Sequence, residues 1–239
     1  MSTTETVPVP ALASPEKSII RSFFDDISPR YDLVNDVLSL RLDGRWRKQA
    51  LKKILDGTET RLLDLGTGTG KFLETFLKHK PWQTAVGLDF SSRMLEKARG
   101  LLPDAADFVS GDFHVLPFQN ESFDLIISSF ALRSVKDMPA FCSEVYRILQ
   151  PSGKAAFLCL TRPHRRLFRA LYYPYLNFYL PVLGKILSGH RQAYEFLSQS
   201  IQHFQEPAKT VGWLKRVGFE SIRLYSFTFG AATLFVAKK

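Results

Sequence analysis

The chain has 239 residues, 45% hydrophobic and 23% charged, which suits one α/β domain with a sizeable core plus extensions. Its two cysteines, Cys142 and Cys159, stand far apart with no C-x-x-C pair, which excludes a disulfide framework and points to a reducing compartment, the cytoplasm. A net charge of +9 fits contact with nucleic acid, an anionic membrane surface or an acidic partner, or serves solubility alone.

Residues 1–14 are polar and proline-containing, without a basic start and an apolar run, and read as a disordered tail rather than a signal peptide or membrane span. Ser14-Pro15 then opens a helix that carries Ile19, Ile20, Phe23 and Phe24 on one face. Leu33, Val37, Leu38, Leu40, Leu42 and Trp46 supply further apolar surface. Trp46 to Leu55 reads as an amphipathic helix with a basic outer face. Residues 15–59 therefore form a helical cap placed to cover one side of a pocket.

From Thr60 strands and helices alternate, which predicts a mostly parallel sheet with helices on both faces. The strands are Leu62–Leu65, Ala85–Phe90, Ala106–Ser110, Phe123–Ser129, Lys154–Leu160, Ser221–Phe227 and Ala232–Lys238. The helices are Gly70–Lys78, Ser92–Leu101, Met138–Leu149 and Pro207–Val217. The last two strands, with only Thr228–Ala231 between them, form an antiparallel hairpin. Residues 163–205 exceed any αβ loop and read as a helical insertion. Leu171 to Gly184 is uncharged and aromatic, but Pro174 and Pro181 break it, so it is too short for a bilayer span. It reads as a packed insertion or as an apolar lid, with Arg162, Arg165, Arg166 and Arg169 nearby to meet lipid phosphates.

The chemistry starts at RLLDLGTGTGK, residues 61–71. A buried strand, a glycine turn and a helix form a nucleotide-binding start, since glycine lets backbone approach a ligand. The spacing is G-x-G-x-G through Gly66, Gly68 and Gly70, unlike the dinucleotide G-x-G-x-x-G. Asp89 closes the second strand about 20 residues on, where a carboxylate accepts from both ribose hydroxyls or caps the following helix. Gly111-Asp112-Phe113 ends the third strand. The fourth delivers Ser128, Ser129 and Arg133 to the carboxyl edge of the sheet. Asp64 with the glycine turn resembles the first motif of class I S-adenosylmethionine methyltransferases, whose sheet ends in an antiparallel strand.

From Phe24 onward the chain resembles the ubiquinone/menaquinone biosynthesis C-methyltransferases. The residues that carry this likeness are Tyr31-Asp32-Leu33-Val34-Asn35 with Leu38-Ser39 and Trp46, Ser129-Phe130-Ala131-Leu132-Arg133, and Arg147 to Gly153. Tyr172-Tyr173, Ser188-Gly189, Ala193-Tyr194, Leu197 and Ser200-Ile201 extend it through the insertion. The resemblance implies S-adenosylmethionine as cofactor, with Gly66 and Gly68 at its backbone, Thr69 in the turn, Asp89 at the ribose, Asp112 and Phe113 at the adenine, and Ser129 at the methionine side. Three residues depart from the family pattern: Asp43 in place of histidine, Ser134 in place of asparagine and Cys159 in place of glutamate.

The implied reaction is C-methylation of a polyprenylated hydroquinone, demethylmenaquinol to menaquinol. A benzoquinol precursor of ubiquinone, another small molecule, or an inactive partner in a quinone-synthesis complex are the alternatives. Arg133 would stabilise a phenolate, and Tyr31, Asp32 and Asn35 would orient the ring or take its proton, or else cap and pack a helix. His114 and His190 are spare bases, and no metal site is indicated. The fourth strand is not followed by an Asn-Pro-Pro-Tyr-type or Pro-Cys motif, so nucleic acid is not expected. The expected partner is a lipophilic quinol, with peripheral membrane contact and a homodimer left open.

Overall fold

The computed structural model describes residues 31–163, 166–188, 198–202 and 207–239. The tail, the helix from Ser14-Pro15 with its apolar face, Arg165 and His190 lie outside the described residues.

Two helices precede the sheet, α1 (Tyr31–Leu38) and α2 (Leu42–Ile54). Helix α1 buries Val34 and Leu38, four residues apart on one face, and leaves Leu33 and Val37 outward. Leu40 and Arg41, in the turn between the helices, both take positive φ, 52° and 58°. Of the expected basic outer face of α2, Lys48, Lys52 and Lys53 are exposed, whereas Arg47 turns inward.

The alternating part comprises β1 (Arg61–Leu65), α3 (Lys71–Leu77), β2 (Thr84–Asp89), α4 (Ser92–Leu101), β3 (Asp107–Ser110), β4 (Phe123–Ser129), α5 (Met138–Ile148) and β5 (Leu149–Leu160). Then come α6 (Arg166–Pro174), a π-helical turn at Tyr175–Tyr179, α7 (Leu180–Ser188), α8 (Pro207–Val217), β6 (Ser221–Phe227) and β7 (Ala232–Lys238). Strand order is β3-β2-β1-β4-β5-β7-β6, with β7 antiparallel to both its neighbours and the rest parallel. All seven expected strands form. Strands β1 and β2 start one residue earlier than expected, and β5 starts well earlier, at Leu149 in place of Lys154, because Leu149 is already extended and pairs with Phe123 ahead of a register shift.

Neighbouring residues of the central strands point to opposite faces, so the sheet carries a core on each side. Leu63, Ile126, Phe157 and Phe235 pack against α5 and α8. Leu62, Leu125, Leu158 and Leu234 pack against α2 and α3. The end of α2 is fastened to the sheet by Lys154 of β5, whose Nζ donates to the Ile54 carbonyl at 3.0 Å and is bonded to the buried Glu59. A third cluster joins α1 to the insertion through Val34, Leu38, Leu176, Leu180 and Ile201. The prolines do not break the insertion. Pro174 ends α6 where the π turn begins, and Pro181 sits in the first turn of α7, where no amide donor is needed.

Candidate active site

The glycine turn leaves β1 with Gly66, Gly68 and Gly70 all at positive φ, 71°, 55° and 85°. Gly66 is required twice over. A Cβ there would lie 2.6 Å from the Ala131 Cβ and 3.0 Å from the Phe113 ring. Gly68 is the opposite case: a Cβ there would meet nothing within 4 Å, so its backbone borders open space. Its N–H donates to Asp89 Oδ2 at 2.8 Å, which ties the turn to the end of β2. Asp89 also accepts from Ser91 N–H, and it is Ser91, not Asp89, that caps α4 by accepting from Met94 N–H.

Thr69 is buried and donates its hydroxyl to Asp32 Oδ1 at 2.7 Å, so the first turn of α1 lies directly on the glycine turn. Phe113 rests against Gly66 and edge-on to Phe141. Asp112 Oδ1 accepts from His114 N–H and lies 2.6 Å from His114 Nδ1. Asp137 N–H donates to His114 Nε2, so this histidine is occupied in its own loop and is not presented as a base. Arg147 holds the following loop by donating to the Leu116 and Phe118 carbonyls. Ser128 donates to the Leu65 carbonyl inside the sheet, and Ser129 ends β4 at its carboxyl edge.

Arg133 and Tyr31 meet over that edge. Arg133 sits in a 3-10 turn, Leu132–Ser134, and donates to Ser200 Oγ at 2.9 Å, while its buried Nε is unpaired. Burial pushes its guanidinium below the usual range, and Tyr31 and Cys159 draw it back. Tyr31 is partly exposed as a residue, but its hydroxyl is buried and hydrogen-bonded to Asn35. Burial raises that hydroxyl above its ordinary value against the Arg133 charge, so it stays protonated and serves as a donor. Burial likewise keeps the Cys159 thiol neutral despite Arg133. Asp43, buried, accepts from Ser39 Oγ and from Arg47, each at 2.8 Å. Ser134 takes part in the turn through its backbone, donating to the Ala131 carbonyl.

Three contributors were not among the expected site residues. Thr67 donates to Asp64 Oδ2 at 2.9 Å, Asp64 itself is buried with Oδ1 unpaired, and Arg47 lies with its guanidinium carbon 5.5 Å from the Phe130 ring centre. The glycine motif hinted at Asp64. Nothing in the sequence marked Arg47, whose neighbours Lys48, Lys52 and Lys53 are solvated.

A profile of the ubiE/COQ5 methyltransferase family matches residues 13–239. The chain belongs to that family. A demethylmenaquinone methyltransferase of Thermotoga maritima is 36% identical over 214 residues, covering 89% of this chain and 93% of that protein. One from Deinococcus radiodurans is 35% identical, with 92% of each chain covered. A ubiquinone/menaquinone biosynthesis C-methyltransferase of Geotalea daltonii is 34% identical, covering 92% of this chain and 96% of its own. Among solved structures, a SAM-dependent methyltransferase of Thermotoga maritima superposes with TM-score 0.66 at 19% identity, covering 91% of this chain and 99% of its own. The fold is that of class I methyltransferases, and this methyltransferase uses S-adenosylmethionine. The residues present fit that cofactor: open backbone at Gly68, a carboxylate at the end of β2, and an unpaired buried carboxylate oxygen at the end of β1. Among the described residues no group of three or more His, Cys, Asp or Glu is placed to hold a metal.

Proposed function

We propose that this methyltransferase acts on a ring carbon of a polyprenylated hydroquinone, converting demethylmenaquinol to menaquinol. The observation that carries the reading is Tyr31: its hydroxyl faces Arg133 while its ring packs on the apolar cluster of Val34, Leu38, Leu176, Leu180 and Ile201. A charged donor pair beside a greasy wall suits a phenol with an oily tail. The names of the full-length relatives support the same substrate class.

Bound S-adenosylmethionine supplies a methyl on a sulfonium, which needs no covalent intermediate with the protein. Gly66, Gly68, Thr69, Asp89, Asp112, Phe113 and Ser129 would hold it. The protein's remaining task is to make a ring carbon nucleophilic. Arg133 remains a cation and stabilises the phenolate as the quinol hydroxyl loses its proton. Tyr31 donates to the same oxygen, and Asp32 on the glycine turn is the proton acceptor. Helices α1 and α2 and the described part of the insertion, 166–188 and 198–202, act as cap and lid over this chamber, and docking them fixes the ring within attack distance.

The outer side of the same two elements serves as a docking face for an anionic bilayer. Leu33 and Val37 of α1 and Phe178, Val182 and Ile186 of the insertion are exposed, each set at helical spacing, and Leu40 and Arg41 extend the face. No helix among the described residues is long and apolar enough to cross a membrane.

The test is to incubate the protein with methyl-labelled S-adenosylmethionine and a demethylated naphthoquinol, a benzoquinol or tRNA. Label should enter the naphthoquinol ring, and Arg133→Met should lower turnover about a hundredfold while leaving S-adenosylhomocysteine affinity intact. Label confined to the benzoquinol would move the substrate. Cofactor binding without transfer to any acceptor would make the chain an inactive partner.

A further inference from the structure

Thr228, Phe229 and Gly230, in the turn that joins β6 to β7, all hold positive φ, 46°, 56° and 94°. Glycine takes that conformation freely. A β-branched threonine followed by a phenylalanine does not, so the turn is strained and needs outside support. Two buried residues supply it. Trp46 of α2 donates its indole N–H to Thr228 Oγ1 at 2.9 Å. Thr161, the residue after β5, donates its hydroxyl to the Gly230 carbonyl at 2.7 Å and its amide to the Ala231 carbonyl at 2.9 Å. The side chain that this bracing sets out is Phe229, 53% exposed, whose ring lies on Phe168 of α6 with centroids 4.2 Å apart. A lone exposed apolar side chain is ordinary. One held out on a strained turn, fastened from the cap and from the sheet, has something to meet.

Its position in the sheet says what. Strand β7 is antiparallel, so Ala232 at its start lies level with Leu160 at the end of β5 and with Phe227 at the end of β6. The turn therefore stands on the same carboxyl edge as Arg133 and Tyr31. An apolar row joins the two places. Phe130, just past β4, meets the Trp46 ring edge-on at 6.3 Å. Leu160 of β5 and Tyr172 of α6 each pack on two clusters, the one holding Trp46 and Ala231 and the one that also takes Tyr31. Phe227 packs on the first of these, next to the turn. From β4 across β5 and β7 to β6 the row crosses three strand spacings, about 14 Å.

A prenyl tail is a long, branched, unsaturated hydrocarbon, and what it needs is an unbroken apolar track with aromatic faces to lie on. Resting on the hydroquinone reading above, we infer that this row is the path of the tail and that Phe229 with Phe168 forms its outer clasp. The ring stays at Arg133 and Tyr31. The tail runs outward over Leu160 and Tyr172 and reaches the clasp where the sheet ends. Phe168 belongs to the insertion and Phe229 to the sheet, so a tail of sufficient length touches both, whereas a short one reaches neither. Phe229 and Phe168 thus determine specificity for tail length and take no part in the methyl transfer.

Initial rates are measured on acceptors built on the ring that takes label in the test above, carrying no tail, a single prenyl unit or a tail of several units. In the wild type KM should fall as the tail lengthens. Phe229→Ala should raise KM for the longest acceptor roughly tenfold with kcat retained, leave KM for the tail-free ring within about twofold, and Phe229→Leu should lie between. Phe168→Ala should show the same split. As a readout without turnover, a photoreactive diazirine near the outer end of the long tail should crosslink to the peptides that contain Phe168 and Phe229. Crosslinks confined to Phe178–Ile186 would send the tail to the outer face of the insertion and overturn the path. Equal KM increases for all acceptors would mean that the two rings only fasten the insertion to the sheet, and no change for any would equally overturn it. Protein that binds S-adenosylhomocysteine but methylates no quinol would sink the hydroquinone reading and this path with it, whereas turnover indifferent to tail length sinks the path alone.

Discussion

Asp64 is the residue whose chemistry is most sensitive to conditions. Burial drives its carboxyl up to about 7, against the Thr67 hydroxyl and the Arg47 charge, with the Asp89 charge adding to the rise. In the unfolded chain the carboxyl returns to the ordinary range near 4, about 3.9. The fold therefore favours the protonated form, whose stabilising contribution is complete below about pH 4 and is lost as pH rises through 7. Asp64→Asn should remove a cost on the order of a few kcal/mol at pH 8 and little at pH 4. Denaturant melts of the ligand-free protein at both values check this, and parallel pH profiles for the two proteins would refute it. Gly66 offers a second comparison. Gly66→Ala must accommodate both a left-handed backbone and the Ala131 and Phe113 contacts, whereas Gly68→Ala faces only the backbone. Gly66→Ala should lose more stability, by at least about 1 kcal/mol, in paired thermal melts. Both variants should bind S-adenosylhomocysteine poorly.

Helix α1 connects the two halves of the site. Its first turn is bonded to the glycine turn through Asp32 and Thr69, and its buried face packs on the insertion through Val34 and Leu38. The Tyr175 hydroxyl, pushed up to about 12 by burial, donates to the Leu38 carbonyl at the helix end. The cofactor side and the substrate side therefore share one wall. Leu176→Ala, which empties the centre of that cluster, should destabilise docking of the insertion by about 2–4 kcal/mol. The expected kinetic signature is a raised KM for the quinol with S-adenosylhomocysteine affinity nearly unchanged. Equal damage to both would mean that the cluster supports the whole fold and not the substrate side. The insertion also shows why a proline pattern misleads. Pro174 and Pro181 look like breaks in the sequence, yet one falls at a π turn and the other at a helix start, so helical backbone continues past both.

At the scale of the whole molecule, the described parts of the cap and insertion expose the apolar side chains Leu33, Val37, Phe178, Val182 and Ile186. With a net charge of +9, binding to anionic phospholipid vesicles should exceed binding to neutral ones and weaken as salt is raised. A double change, Val37→Ser with Val182→Ser, should lower vesicle binding severalfold without altering turnover on a detergent-dispersed quinol. Protein that ignores both kinds of vesicle but forms a salt-resistant dimer would assign the face to a second copy of the chain.

The strands, their order of appearance and the glycine turn with Asp89 could be read from residue order alone, because alternation, turn chemistry and the spacing of a motif are local properties. The helix cap went to Ser91 and not to Asp89, a choice local geometry made. Arg47 could not be found that way. On a helix of lysines and arginines nothing distinguishes the one that turns inward, since its direction depends on where α2 lands against the end of β4. The same holds for the unpaired oxygen of Asp64 and for the meeting of Tyr31 with Arg133, more than a hundred residues apart in the chain. Burial and partnership are long-range quantities, and they emerge only when the cap, the sheet and the insertion close on one another.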